Sequence, residues 1–246
     1  MKSISKRLMA MAAACACMLA AYADDTDLTC RRSERAMHYG EWAQAAALTG
    51  LALDARPDSA ALYARAIVAD DMLGDTTRCD ALLESAMAHG VALDSVVDAV
   101  RRDAFAIGQA RIYDRFLTRT RRRMPWLSRA IDARLLDYYA MRGDGDRTVE
   151  LATAMLRGLP DSTRYLTLLA RGYDMQGDTE AANSTRRRIL DIEPDNLEAL
   201  RALGCSLARQ GLGDEARALL TRAQCINPTP YIDKILSLIH ISEPTR

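Results

Sequence analysis

Residues 177–196 read GDTEAANSTRRRILDIEPDN, and residues 211–228 read GLGDEARALLTRAQCINP. Each opens on a glycine and carries a proline seventeen residues later, Pro194 and Pro228. The markers recur along the chain. Gly40, Gly74, Gly108, Gly143, Gly177 and Gly211 stand 34, 34, 35, 34 and 34 residues apart. Prolines follow five of them at the same distance: Pro57, Pro125, Pro160, Pro194 and Pro228; in the second unit that place is Val91. Glycine takes the left-handed conformation that lets a helix end and its chain reverse. Proline cannot continue a helix, so it separates one helix pair from the next. Two interlocked markers at one period therefore predict stacked helix pairs.

Between the markers the apolar residues fall at helical spacing. Leu166, Leu169, Ala170 and Tyr173 line one helix of the fifth unit, and Ala182 and Ile189 line the other. In the sixth, Leu200, Leu203, Gly204 and Leu207 precede Ala216, Leu220 and Ala223. This is the pattern of one buried helix face. Ala45, Ala182 and Ala216 fall where paired helices cross most closely. Few aromatics and abundant alanine and leucine favour helix over strand.

The quoted stretches, with GEWAQAAALTGLALDARPDS at 40–59, resemble tetratricopeptide repeats. The resemblance implies an all-α, right-handed α-solenoid of about six units, 26–59, 60–93, 94–128, 129–162, 163–196 and 197–230, within a repeat domain over 24–230. It is weakest in the third unit, where Arg101 and Tyr113 replace small residues, and in the fourth, where Asp132 replaces an apolar one.

Both ends read differently from the repeats. Lys2, Lys6 and Arg7, the apolar run Leu8–Ala21 and the small residues of Ala21-Tyr22-Ala23 form a signal-peptide layout over 1–23, with cleavage after Ala23. That predicts a periplasmic or secreted protein. A lipoprotein acylated at Cys15 or Cys17 is the second alternative, although neither is preceded by the usual leucine. At the other end, LSLIHISEPTR, residues 236–246, resembles a translated sequencing-adapter scar. It is treated as a non-native tail, with residues 231–235 as the start of a truncated helix, no polar cap on the sixth unit, and a native continuation expected beyond Ile235.

The whole chain balances 33 Lys and Arg against 33 Asp and Glu. Without both terminal segments it becomes mildly acidic, which argues against a nucleic-acid binder working by phosphate neutralisation. No apolar run in the body reaches membrane-spanning length. Cys30, Cys79, Cys205 and Cys225 have neither redox nor zinc spacing, so no metal is expected. Export permits disulfides without requiring one. Cys79 reads as a small core residue. His38 and His89 lie near helix C-termini, where the helix dipole favours them. No catalytic or phosphate-binding motif is present, so neither an enzyme nor a cofactor is expected. The arginine runs default to solvated helix faces, and Arg119–Arg123 is the one stretch considered as an anion patch.

In the resembling family a concave groove lined by the first helix of each pair binds peptides or protein segments. Carried over position by position, the groove-facing residues are Cys30, Glu34, His38, Val68, Met72, Asp98, Arg102, Phe105, Asp137, Met141, Arg171, Asp174, Met175, Arg201 and Arg209. Cys30 and Glu34 stand where a carboxylate-clamping set would need a basic and an amide residue, so a chaperone-tail receptor is not expected. The resemblance thus implies an exported scaffold for a protein or peptide partner. One alternative is the N-terminal sensor or targeting arm of a longer enzyme or signalling protein. Another is self-association through the uncapped C-terminal end.

Overall fold

The computed structural model describes residues 25–242. Residues 1–24, which include the expected signal peptide over 1–23, and residues 243–246 lie outside them. The described residues form thirteen α-helices and one short 3-10 turn, with no strand. The first pair is α1 (25–39) and α2 (Trp42–Ala55), and the second is α3 (Ala60–Leu73) and α4 (Thr76–Ala88). The third is α5 (Leu93–Ala106) and α6 (Arg111–Arg123), followed by the turn Pro125–Leu127. Then come α7 (Ser128–Arg142) with α8 (Gly145–Gly158), α9 (Thr163–Gln176) with α10 (Thr179–Ile192), α11 (Leu197–Arg209) with α12 (Gly213–Ile226), and finally α13 (Pro230–Ser242). The chain forms two compact units that divide after Thr120.

All six periodic glycines do the same work. Each has positive φ, between 71° and 80°. Each N–H donates to the carbonyl three residues back, and the next residue's N–H to the carbonyl five back, as in Gly177 to Asp174 (3.1 Å) and Asp178 to Tyr173 (2.9 Å). These bonds satisfy the carbonyls a helix end leaves open. The following aspartate then starts the partner helix: Asp75, Asp144 and Asp178 accept from the backbone N–H of Arg78, Arg147 and Ala181 at 2.9, 3.2 and 3.0 Å. A Gly-Asp dipeptide thus ends one helix and caps the next.

Proline marks the other joints. Pro57, Pro160, Pro194 and Pro228 follow Arg56, Leu159, Glu193 and Asn227, whose φ values of −135°, −140°, −124° and −148° have left the helix. The second unit has no such proline, and Gly90 (φ 77°) ends α4 instead, with Val91 N–H reaching Ala86 O at 2.9 Å.

Ala45, Ala182 and Ala216 are fully buried, as their close-crossing positions require. So is Cys79, whose Sγ donates to Ile67 O at 3.3 Å and whose thiol burial pushes up to about 12. It stays a protonated core residue. All four described cysteines are free. In the third unit Tyr113 is buried edge-on to Phe105 (6.4 Å, 72°), so the larger residue is absorbed by a ring contact. In the fourth, Asp132 lies 2.8 Å from Arg121, and desolvation raises its carboxyl above the usual range.

Two expectations need correction. Val68 is completely buried and lines no groove, because α3 packs against α2, α4 and α5 and every residue from Leu62 to Asp71 loses its exposure. The sixth pair is also not bare. Helix α13 continues past Ile235 and packs on α11 and α12, with Ile232 and Ile239 buried beside Leu203 and Leu220. The tail sequence LSLIHI keeps apolar residues at helical spacing whatever its origin, so it extends the helix over that face.

Candidate protein-binding surface

In the unit ending at Thr120 a cleft of about 180 Å³ is lined by residues of α1, α3 and the end of α5: Glu34, Met37, His38, Arg65, Asp103, Ala106 and Ile107. Its organising residue is Arg65, which is 9 % exposed. The guanidinium donates to Ser33 Oγ (2.7 Å), to Cys30 O (3.3 Å) and to Glu34 Oε1 (2.7 Å). A buried charge needs such compensation, since an isolated one would be costly to desolvate. Asp103 lines the same cleft. Burial raises its carboxyl, opposed by Arg102, whose Nε donates at 3.2 Å, and by the charge of Arg65. His38 is exposed at the rim, and Met37 and Ile107 supply apolar wall.

In the unit beginning at Arg121 a larger cleft, about 560 Å³, opens between the ends of α9 and α11. Asp174, Cys205, Arg209 and Gln210 line it, with Arg186 of α10 beneath. Arg186 repeats the role of Arg65: it is 6 % exposed, pairs with Asp174 and donates to Asn183 Oδ1 at 3.4 Å. An adjoining cleft of about 450 Å³ runs from Cys205 and Arg209 to Tyr231 and Ile235 of α13. Burial raises the Cys205 thiol, opposed by a hydrogen bond with Tyr231 and by Arg209 and Arg201.

The structure brings the sequence-selected residues into these clefts only in part. Glu34 and His38 line the first, and Asp174 and Arg209 the second. Phe105, Met141 and Met175 are exposed apolar residues on first helices, at 36 %, 56 % and 38 %, and Met72 is half-buried. Arg102, Asp98, Asp137 and Arg171 are exposed. Asp137 is engaged by Arg164 at 2.6 Å. Arg201 is half-buried, and its Nη2 donates to Asn227 O at 2.8 Å, tying α11 to the end of α12. The sequence reading missed Arg65, Asp103 and Arg186. A charged residue inside the apolar run AALYARAIVADDML was the available signal for Arg65, because such a residue must find a partner.

No family model matches the chain, and no curated protein does. Solved structures do. The C-terminal part of a TPR repeat-containing protein from Cytophaga hutchinsonii superposes with a TM-score of 0.51 at 13 % identity, over 85 % of this chain and 84 % of that one. The Cut9–Hcn1 hetero-tetramer of APC/C gives 0.48 at 9 %, over 82 % and 40 %. The TPR2AB domain of yeast Sti1 gives 0.40 at 12 %, over 88 % and 99 %. The first of these likenesses defines the class: the chain has the tetratricopeptide helical-repeat fold.

Proposed function

We propose that this protein is an exported, non-enzymatic scaffold that binds a peptide or protein segment along the first helices of its repeat pairs. The observation that carries the reading is a repeated one. In each compact unit, considered separately, one cleft opens beside first helices, over a buried arginine held by a carboxylate: Arg65 with Glu34, and Arg186 with Asp174. Charged rims with exposed methionine and phenylalanine suit an adaptable peptide surface. Among the described residues no helix is long and apolar enough to cross a membrane and no His, Cys, Asp and Glu group could hold a metal. Export rests on the layout of residues 1–23 and is tested by the N-terminus of the protein recovered from an envelope fraction, which should be Asp24.

A photo-reactive side chain placed at His38 or Arg209 should crosslink to a protein partner, while one at Glu150 or Arg157, exposed on the second helix α8, should not. Charge reversal at Arg171 and Arg209 should reduce recovery of that partner. Equal recovery, with equal crosslinking from α8, would sink the first-helix surface as the site.

A further inference from the structure

We propose that the corner formed by the end of α6 and the turn into α7 seats the protein on an anionic lipid surface, through an exposed tryptophan flanked by Arg122 and Arg129. Trp126 is 73 % exposed. It lies in the 3-10 turn Pro125–Leu127, which the buried side chain of Met124 fixes to the fold. Arg122, Arg123 and Arg129 are exposed on either side of it. Residues 121–134 hold five arginines against the single acid Asp132, in a chain whose total charge is zero. Asp132 is already taken by Arg121 at 2.8 Å, whereas Arg122 and Arg129 make no ion pair or hydrogen bond among the described residues.

The needs of folding account for only part of this patch. Basic residues in the last turn of α6 complement its dipole, which explains Arg121–Arg123. Arg129 sits in the first turn of α7, where the dipole disfavours a cation, and no acid stands in that turn. Trp126 leaves in water a ring that a fold normally buries. An external ligand accounts for both. Arginines suit any polyanion, but a tryptophan beside exposed Pro125 suits one with an apolar layer under its charges. That is a bilayer surface, where tryptophan settles at headgroup level. Nucleic acid would be expected to draw on several stacking aromatics and a basic chain. This site shares no residue with the first-helix clefts and does not depend on them.

The test uses the processed chain from Asp24 and vesicles of phosphatidylcholine with or without about one-third phosphatidylglycerol. Co-sedimentation is expected with the anionic vesicles only, and raised salt should weaken it. At about fivefold per arginine near such a surface, R122Q/R129Q should bind about 25-fold more weakly. In a W42F background the Trp126 emission should shift to the blue with anionic vesicles, and W126A should weaken binding. Far-ultraviolet dichroism should be unchanged in each exposed-site variant. Absence of binding to anionic vesicles, equal binding to neutral ones, or undiminished binding of R122Q/R129Q overturns the proposal. Binding to heparin or nucleic acid without binding to vesicles also overturns it and assigns the corner to another polyanion.

Discussion

The helices around α9 and those around α3 reach the same packing by opposite means. In α9, Gly172 removes a side chain: a Cβ there would stand 2.8 Å from Val149 Cγ2 and 3.2 Å from both Thr148 Cγ2 and Val149 N of α8. In α11, Gly204 does the same toward Leu220 of α12, with a Cβ position 2.7 Å from Leu220 Cγ. Around α3 the close approach is sealed with charge. Asp71, with 2 % of its side chain exposed, accepts from Arg115 Nε at 3.1 Å and also pairs with its Nη2. Arg119 reaches Asp71 at 3.6 Å and Asp80 at 2.9 Å. The periodic helix pair therefore needs its turns and its apolar stripe, while the material at the crossings is free to vary. One region should fail sterically, and the other should respond to charge and pH.

The largest effect is expected where the charges lock together. Asp71→Ala would leave Arg115 and Arg119 without their shared acceptor. Removing one partner of a buried ion pair costs about 3–5 kcal/mol, and the half-exposed Arg115 can recover water, so about 3 kcal/mol is expected. Denaturant unfolding of the variant should show a lowered midpoint at unchanged slope. A loss within about 0.5 kcal/mol would mean that the network is only a solvated surface feature.

Gly172→Ala is the steric counterpart. Alanine gains about 1 kcal/mol of helix propensity over glycine. Against that, overpacking costs about 1–3 kcal/mol or somewhat more. The neighbours cannot easily give: Val149 N is backbone, and Thr148 is held by its hydroxyl donating to Asp144 O at 2.6 Å. A net loss of about 2 kcal/mol is expected, insensitive to pH and salt. A stabilised Gly172→Ala variant would show that α8 and α9 do not approach this closely.

The contrast also sets what the sequence could reveal. Turns are local, so Gly74, Gly143 and Gly177 announced where one helix ends and the chain reverses, while the capping by the aspartate that follows each of them came from the structure. Small residues at crossings are periodic, and Ala45, Ala182 and Ala216 were legible for that reason. Ion pairs between elements have no period. Asp71 lies near the end of α3, and only folding brings Arg115, 44 residues later, onto it. The groove positions suffered in the same way. Their assignment assumed that each first helix shows one stripe to solvent, but α3 shows almost none, so Val68 was selected where Arg65 reaches the cleft. Glu34, His38, Asp174 and Arg209 sit on helices that keep that stripe, and there the assignment reached the clefts.

The smallest expected effect has the opposite sign and separates the two kinds of packing most cleanly. Asp70 is 1 % exposed; Arg78 Nε stands 3.2 Å from its Oδ2, yet neither carboxylate oxygen accepts a hydrogen bond. Burial raises its carboxyl above the usual range, opposed by the Arg78 charge. In the window between its unfolded and folded pKa values the folded protein therefore holds the proton more often. Stability attributable to Asp70 falls as pH rises through that window, and its full penalty is present at neutral pH. Asp70→Asn keeps the shape and removes the charge, and Arg78, half-exposed, can turn to water. At pH 7 the variant should be more stable by about 1 kcal/mol, on the scale of one buried unsatisfied group. The gain should shrink towards zero as pH falls through and below the ordinary aspartate pKa of about 3.9, because Asp70 then becomes neutral in both states. Chemical denaturation of parent and variant across pH 3.5–7 reads the difference directly. A variant less stable than the parent at pH 7 would show that the Arg78 charge outweighs desolvation, making the α3 crossing a net electrostatic attraction from end to end.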